Sequence, residues 1–361
     1  MRRRAFVHLI ASFLASLPFA ASAFAADGIQ VSGPIVHDNL AIYLVHGAAA
    51  GGAGGAVPLT LQEALAKGAV KVRETGSVNT LTVENTGKDE VYVQAGDIVK
   101  GGQQDRVLSV DLLLPPRSGA VSIAAFCVES GRWTARGNED VRQFSSAAAA
   151  MPSREAKVAM RAYVATAAPP AGAAASAVSA YAGGAGAGES QQEIWALARK
   201  TQDSLSRSVG APVAAPASPS SLQLSLENEE LKQAQAAYIA ALRGAGENGD
   251  DIVGYVFAIN GKINSGDVYA SNALFRKMWS KLLAANVTEA ISVKEASGAA
   301  PAPPPPVKDV EAFLAKASAG ATAERAINAS VHLATLDGDA SLYAETRRAD
   351  GSWVHRNYLA K

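Results

Sequence analysis

The chain has 361 residues, with 33 Lys and Arg against 33 Asp and Glu, so it carries no large basic field for nucleic acid or anionic lipid. Its 48% hydrophobic content suffices for a sizeable core, and its length suits two or three packed units. Cys127 is the only cysteine, which excludes an intrachain disulfide and leaves packing to hold the fold.

Arg2, Arg3 and Arg4 precede an apolar run over 5–24 that ends in Ala23-Phe24-Ala25, the pattern of a signal peptide at 1–25. Ser12, Ser16, Pro18 and Ser22 interrupt the run, which argues against a retained anchor. Arg3-Arg4 also fits a twin-arginine signal, but an ordinary basic start accounts for it, so Sec export is favoured. Cleavage leaves 30 basic against 33 acidic residues, a net charge of −3. No later run approaches the roughly 18 apolar residues of a membrane helix. The expectation is a soluble periplasmic or secreted protein with no membrane span after cleavage.

Strands are expected over 29–31, closed by Gly33-Pro34, and over 40–46, where LAIYLVH is apolar on both faces. An Ala/Gly stretch at 47–56 follows; its Gly51 and Gly55 lack the spacing and the Lys of a phosphate loop. Thr60 and Glu63 form a capping-box pattern for a helix over 61–67, which Gly68 stops. Further strands are expected over 70–74, 80–84 and 91–93.

The centre of the chain is 91–133. Leu108, Val110, Leu112 and Leu114 alternate with period two, and Pro115-Pro116 forces a turn into a return strand over 121–129. With 114 opposite 121, Arg106 falls beside Glu129, and Gln104, Arg106, Glu129, Arg132 and Trp133 gather at the open end of the hairpin as candidate binding residues. Arg106 or Arg132 would grip a phosphate or carboxylate, with Trp133 against a planar ligand. The competing reading is an ion pair that pins the hairpin register. Cys127 shares its strand face with Ile123 and Ala125, with no histidine nearby in sequence, so a buried, inert thiol is expected.

Helices are expected over 153–165, 190–209, 226–242, 274–285 and 310–317. Asn260-Gly261 marks a hairpin over 251–270, and Asp337-Gly338 and Asp350-Gly351 divide a C-terminal antiparallel meander. The expected organisation is a β-rich domain at 26–135, a helical segment at 136–210, a linker at 211–221, an α/β unit at 222–292, a Pro/Ala-rich linker at 293–307 and a C-terminal helix with strands at 308–361. The fold class is α+β: a β-sandwich-like N-terminal unit followed by helices and a smaller α/β unit. Low-complexity sequence fills 167–188. His37, His46, His332 and His355 are scattered without metal-ligand spacing, so no metal or other cofactor is expected.

GDIVKGGQQDRVL, CVESGRW, QQEIW, VGYVFAINGKI and LFRKMWSKLL occur in that order, and in them the chain resembles the ARG and rhodanese-phosphatase-superfamily-associated protein domain family. The likeness spans most of the mature chain. It implies an association with domains such as ADP-ribosylglycohydrolases rather than a defined activity. Members often carry Lys where this chain has Gln103, which weakens anion binding there. The leading expectation is a non-catalytic structural or ligand-binding envelope protein, the ligand being a small anion. The alternatives are a hydrolase acting on a phosphorylated or ADP-ribose-like substrate, and a protein-interaction module. No nucleic-acid partner is expected, and the residues set no oligomeric state.

Overall fold

The structure, a computed structural model, describes residues 28–47, 56–167, 187–294 and 301–361. The expected signal peptide, residues 51–55 and nearly all of the low-complexity stretch at 167–188 lie outside the described residues.

β1 (Gln30–His37) and β2 (Leu40–His46) form a hairpin. Gly33-Pro34 does not close β1; it sits in a register break between Ser32 and Ile35, beyond which pairing resumes. β2 is apolar on both faces because both are covered. Leu40, Ile42 and Leu44 enter one core, and Ala41, Tyr43 and Val45 enter a second. β3 (Leu59–Thr60) leads into α1 (Leu61–Ala66), where the capping box forms: Glu63 N–H donates to Thr60 Oγ1, and Thr60 N–H to the Glu63 carboxylate. β4 (Val70–Glu74), β5 (Thr80–Asn85), β6 (Val91–Val93) and β7 (Asp97–Gly101) follow.

The leucine-rich stretch departs from the expected hairpin. β8 (Arg106–Leu108) pairs with β7 and with β10 (Gly119–Cys127), whereas β9 (Leu112–Leu114) leaves that sheet and pairs with β6. Leu114 thus lies opposite Val91 rather than 121, Val121 lies opposite Val83, and Arg106 lies opposite Cys127 rather than Glu129. The break falls at Asp111, whose buried carboxylate accepts the Ala95 N–H at 2.8 Å and the Tyr92 hydroxyl at 3.1 Å. A carboxylate turned inward for these donors cannot also continue an outward-facing strand position.

β11 (Phe144–Ala150) completes a six-stranded sheet ordered β11-β7-β8-β10-β5-β4, curled so that its outer strands approach each other. α2 (Arg154–Ala167) and α3 (Ala187–Val209) follow. Residues 211–221, expected as a linker, dock on the protein, and Ser221 caps the short α4 (Leu222–Leu226). Asn228 then caps α5 (Glu229–Glu247), so the helix expected over 226–242 forms but starts three residues later, Leu226 ending α4.

β12 (Ile252–Ile259) and β13 (Lys262–Tyr269) flank Asn260-Gly261, whose φ angles of 51° and 73° are those of a tight hairpin turn. α6 (Asn272–Ser292) is buried nearly all round because it is the layer between sheets; it packs on β12 and on β11, and Trp279 stacks on Phe257. The Pro-rich residues 301–306 lie against β2, where Tyr43 donates its hydroxyl to the Pro305 carbonyl. Then come α7 (Val307–Ala317), β14 (Ala323–Ala326), β15 (Val331–Asp337), β16 (Ser341–Arg348) and β17 (Trp353–Ala360).

The fold is α+β, and its largest sheet is antiparallel with eight strands ordered β1-β2-β12-β13-β17-β16-β15-β14. The C-terminal meander forms as expected, yet it is no separate unit, since β17 pairs with β13 and, through β12, joins β1 and β2. α7 covers one face of this sheet while α5 and α6 cover the other. No helix among the described residues is long and apolar enough to cross a membrane.

Candidate functional site

The five residues singled out from the sequence divide among three places. Arg106, buried on β8, turns to Glu74 on β4, with Nη2 3.3 Å from Oε2, and donates Nη1–H to the Gln104 carbonyl at 2.9 Å. Gln104 is fully buried, and neither its amide oxygen nor its nitrogen meets a hydrogen-bond partner among the described residues. Trp133 is 55% exposed.

Glu129 and Arg132 do come together, in the loop after β10. Arg132 donates Nε–H and Nη2–H to Glu129 at 2.7 and 2.8 Å, and its other hydrogens to the carbonyls of Gly101, Gly102 and Thr134. The remaining lone pairs of Glu129 take the Asp105 N–H at 2.9 Å and the Ser218 hydroxyl. Asp105 and Arg136 complete the cluster through a bidentate pair at 2.8 and 2.9 Å, and Ser221 donates to Asp105 at 2.7 Å. Burial opposes the Asp105 charge, but hydrogen bonds from Arg136, Ser221 and the Gly101 N–H hold its carboxyl below the usual range. Every oxygen of Asp105 and Glu129 is engaged by the protein itself, which leaves this cluster no acceptor for a ligand. Cys127 is buried, and burial pushes its thiol up to about 12.

A second buried cluster joins the sheets. His355 on β17 places Nδ1 2.8 Å from Asp111 and Nε2 2.9 Å from Asp267 on β13. Burial disfavours the imidazolium, but the two carboxylates outweigh it and raise His355 to about 9. Thr346, Tyr255 and Asn357 supply further donors to the two aspartates. With both ring nitrogens so engaged, His355 has none left for a metal. Among the described residues no group of three or more His, Cys, Asp or Glu is arranged to hold a metal ion. Beside Asp267 lies a cavity of about 30 Å³ bordered by Lys157 and Arg161, room for a water or two but not for a substrate.

Apart from all five sequence-predicted residues lies an open cleft of about 510 Å³ where the start of α2, the middle of α3, the β12–β13 turn and the end of α6 converge. Arg154, Lys200, Lys262 and Lys361 line it, against the carboxylates of Glu155 and Glu289. Some of these charges are shared: Lys200 pairs with Glu155 at 2.6 Å, and Lys361 with Asp337. Glu289 is 7% exposed, and its Oε1 accepts the Arg154 N–H at 2.9 Å at the open N-terminus of α2. Its Oε2 has no hydrogen-bond partner among the described residues, and neither has Oδ1 of Asn264, itself 8% exposed on β13. Burial raises the Glu289 carboxyl above its ordinary value, against the pull of Lys157, the Arg154 N–H and Asn264.

Sequence reasoning missed Glu289, Asn264, Asp105, Arg136 and His355. For Glu289 a signal existed. It stands within Val287-Thr288-Glu289-Ala290-Ile291, in the last turns of a helix rich in apolar residues, and a carboxylate there needs a specific reason.

One comparison with known proteins found a match. The model of a family described as the ARG and Rhodanese-Phosphatase-superfamily-associated Protein domain matches residues 28–359. No curated protein and no solved structure matches the chain.

Proposed function

We propose that this chain, which belongs to the ARG and Rhodanese-Phosphatase-superfamily-associated Protein domain family, is an exported, non-catalytic protein that binds a small anionic ligand in the cleft beside Glu289. The observation that carries the reading is the cleft itself: about 510 Å³ of open space walled by four cationic side chains and two carboxylates. Small-molecule sites typically span about 300–1,000 Å³. Export is supported by the basic start and apolar run of the sequence. The Glu129–Arg132–Asp105–Arg136 cluster takes the structural role, because its charges are already paired with one another.

A thermal-shift titration of residues 26–361 with inorganic phosphate and with citrate tests the reading. Binding to the folded state adds about 2.7 kcal/mol at a hundredfold excess over Kd, so Tm must climb with anion concentration. Lys262→Glu, at the exposed first position of β13, should abolish the climb without lowering Tm in buffer. Identical anion-dependent shifts in the two proteins would place the binding elsewhere, and no shift with either anion would end the proposal.

A second reading, a hydrolase acting on a phosphorylated substrate, has one observation in its favour. Glu289 is a carboxyl raised by burial beside a cleft, a shift in the direction a general acid needs. It requires phosphate release from p-nitrophenyl phosphate that disappears in Glu289→Gln. Without turnover, this reading is lost and the binding reading stands.

A further inference from the structure

Two buried acceptor atoms at the cleft meet no hydrogen-bond partner among the described residues, although the Asn264 side chain lies near enough to act on the Glu289 carboxyl. Oε2 of Glu289 and Oδ1 of Asn264 come from facing elements, α6 and β13, and both residues are more than nine-tenths buried and line the same space. Leaving a buried acceptor unsatisfied costs about 1–3 kcal/mol, more when it is charged, so such atoms mark where an incoming donor gains most.

The donor could be an ammonium or a hydroxyl, and the surroundings decide between them. Lys157 acts electrostatically on Glu289, and Arg154 adjoins it through both its N–H and its charge. A third cation brought to the floor would face these two like charges, whereas a neutral O–H would not. Lys262 also lines the cleft, with Lys200 and Lys361, whose pairs to Glu155 and Asp337 are solvent-exposed and weak, and the three suit an anionic group on the same molecule.

We infer that the cleft is built for a hydroxyl-bearing small anion, of the polyol phosphate or hydroxy-carboxylate kind, whose O–H groups donate to Glu289 and Asn264 while its anionic end meets the lysines. This rests on the cleft being an anion site, as proposed above, and adds the second half of the recognition. Hydroxyls fix the ligand's orientation and separate it from simple phosphate, because a site that presents buried acceptors rejects analogues that leave them unpaired.

Calorimetric titration of residues 26–361 tests the inference with four probes: glucose 6-phosphate, gluconate, inorganic phosphate and glucose. At least one of the first two should bind about tenfold or more tighter than both phosphate and glucose, the value of one or two recovered hydrogen bonds. Which of the two binds identifies the anionic group. Asn264→Ala should remove that advantage while leaving phosphate affinity within about twofold. Glu289→Gln, which keeps shape and the Arg154 contact, should reduce it in the same direction and guards against a misfolded alanine variant. Phosphate binding as tightly as the hydroxylated probes, or an advantage untouched in both variants, overturns the inference and leaves the anion site intact. If no probe binds, the inference falls together with the reading beneath it.

Discussion

Raising the pH should weaken this protein between about 6.5 and 9, and His355 is the reason. The imidazolium lies between Asp111 and Asp267, and its pKa rises from 6.5 to about 9 on folding. A group whose pKa is raised by folding contributes its full stability below the unfolded value and loses it as pH climbs through the folded one. The rise corresponds to on the order of 3 kcal/mol, absent once the pH passes about 9. Glu289, a carboxyl raised from 4.5 by burial, also weakens the fold as pH climbs, so the comparison with His355→Gln isolates the histidine's share. Tyr92, Tyr255 and Tyr269 are raised well above 10 by burial and weaken the fold only above pH 10, and Cys127, raised from 9, does so only above pH 9. Urea unfolding at half-unit steps from pH 6 to 9 measures the loss directly. His355→Gln should start about 3–5 kcal/mol less stable at pH 6, since two buried carboxylates lose their cation, and should show a much flatter pH dependence. A wild-type profile that is flat from pH 6 to 9 would refute the reasoning, because the ring would then be neutral between its two aspartates.

Two further substitutions probe the framework. Glu129→Ala removes the acceptor of two Arg132 hydrogens, the Asp105 N–H and the Ser218 hydroxyl, and should cost about 3–5 kcal/mol in urea unfolding while leaving anion-induced Tm shifts in place. The opposite pattern, wild-type stability with the shifts gone, would make that cluster the binding site. Gly246→Ala puts a methyl 2.3 Å from the Trp279 ring, so Trp279 must leave its place and its 2.8 Å bond to the Arg243 carbonyl. A loss of about 1–3 kcal/mol with altered tryptophan fluorescence is expected, and an unchanged spectrum would show that α5 yields instead.

The parts of the fold legible in the sequence are those that neighbours in sequence decide. Thr60 and Glu63 cap α1 across three residues, and Asn260-Gly261 sets the β12–β13 turn through its own positive φ angles. β2 could be read as covered on both faces because seven successive residues lack a charge. The central hairpin was misread for the complementary reason. Asp111 looks like one solvent-facing position in an alternating strand, yet its partners are His355 and Thr346, far along the chain on β16 and β17. No local pattern encodes that pairing. The same holds for the binding candidates: Arg132 and Glu129 are three residues apart and were grouped correctly, but Arg106 belongs with Glu74, and Asp105 with Arg136. Glu289 and Asn264 meet only because α6 packs beside β13.

The interleaving of the eight-stranded sheet also orders events in time. β2 emerges from the ribosome early, but its sheet partner β12 begins at Ile252, roughly 10–40 s later at about 5–20 residues per second. β17 is later still, and it fills the place between β13 and β16. A nascent chain therefore holds an all-apolar strand paired only with β1, its second edge open, for most of its synthesis, and completes the sheet only when its last strand arrives. The sheet that joins the two ends of the chain thus closes in one late step.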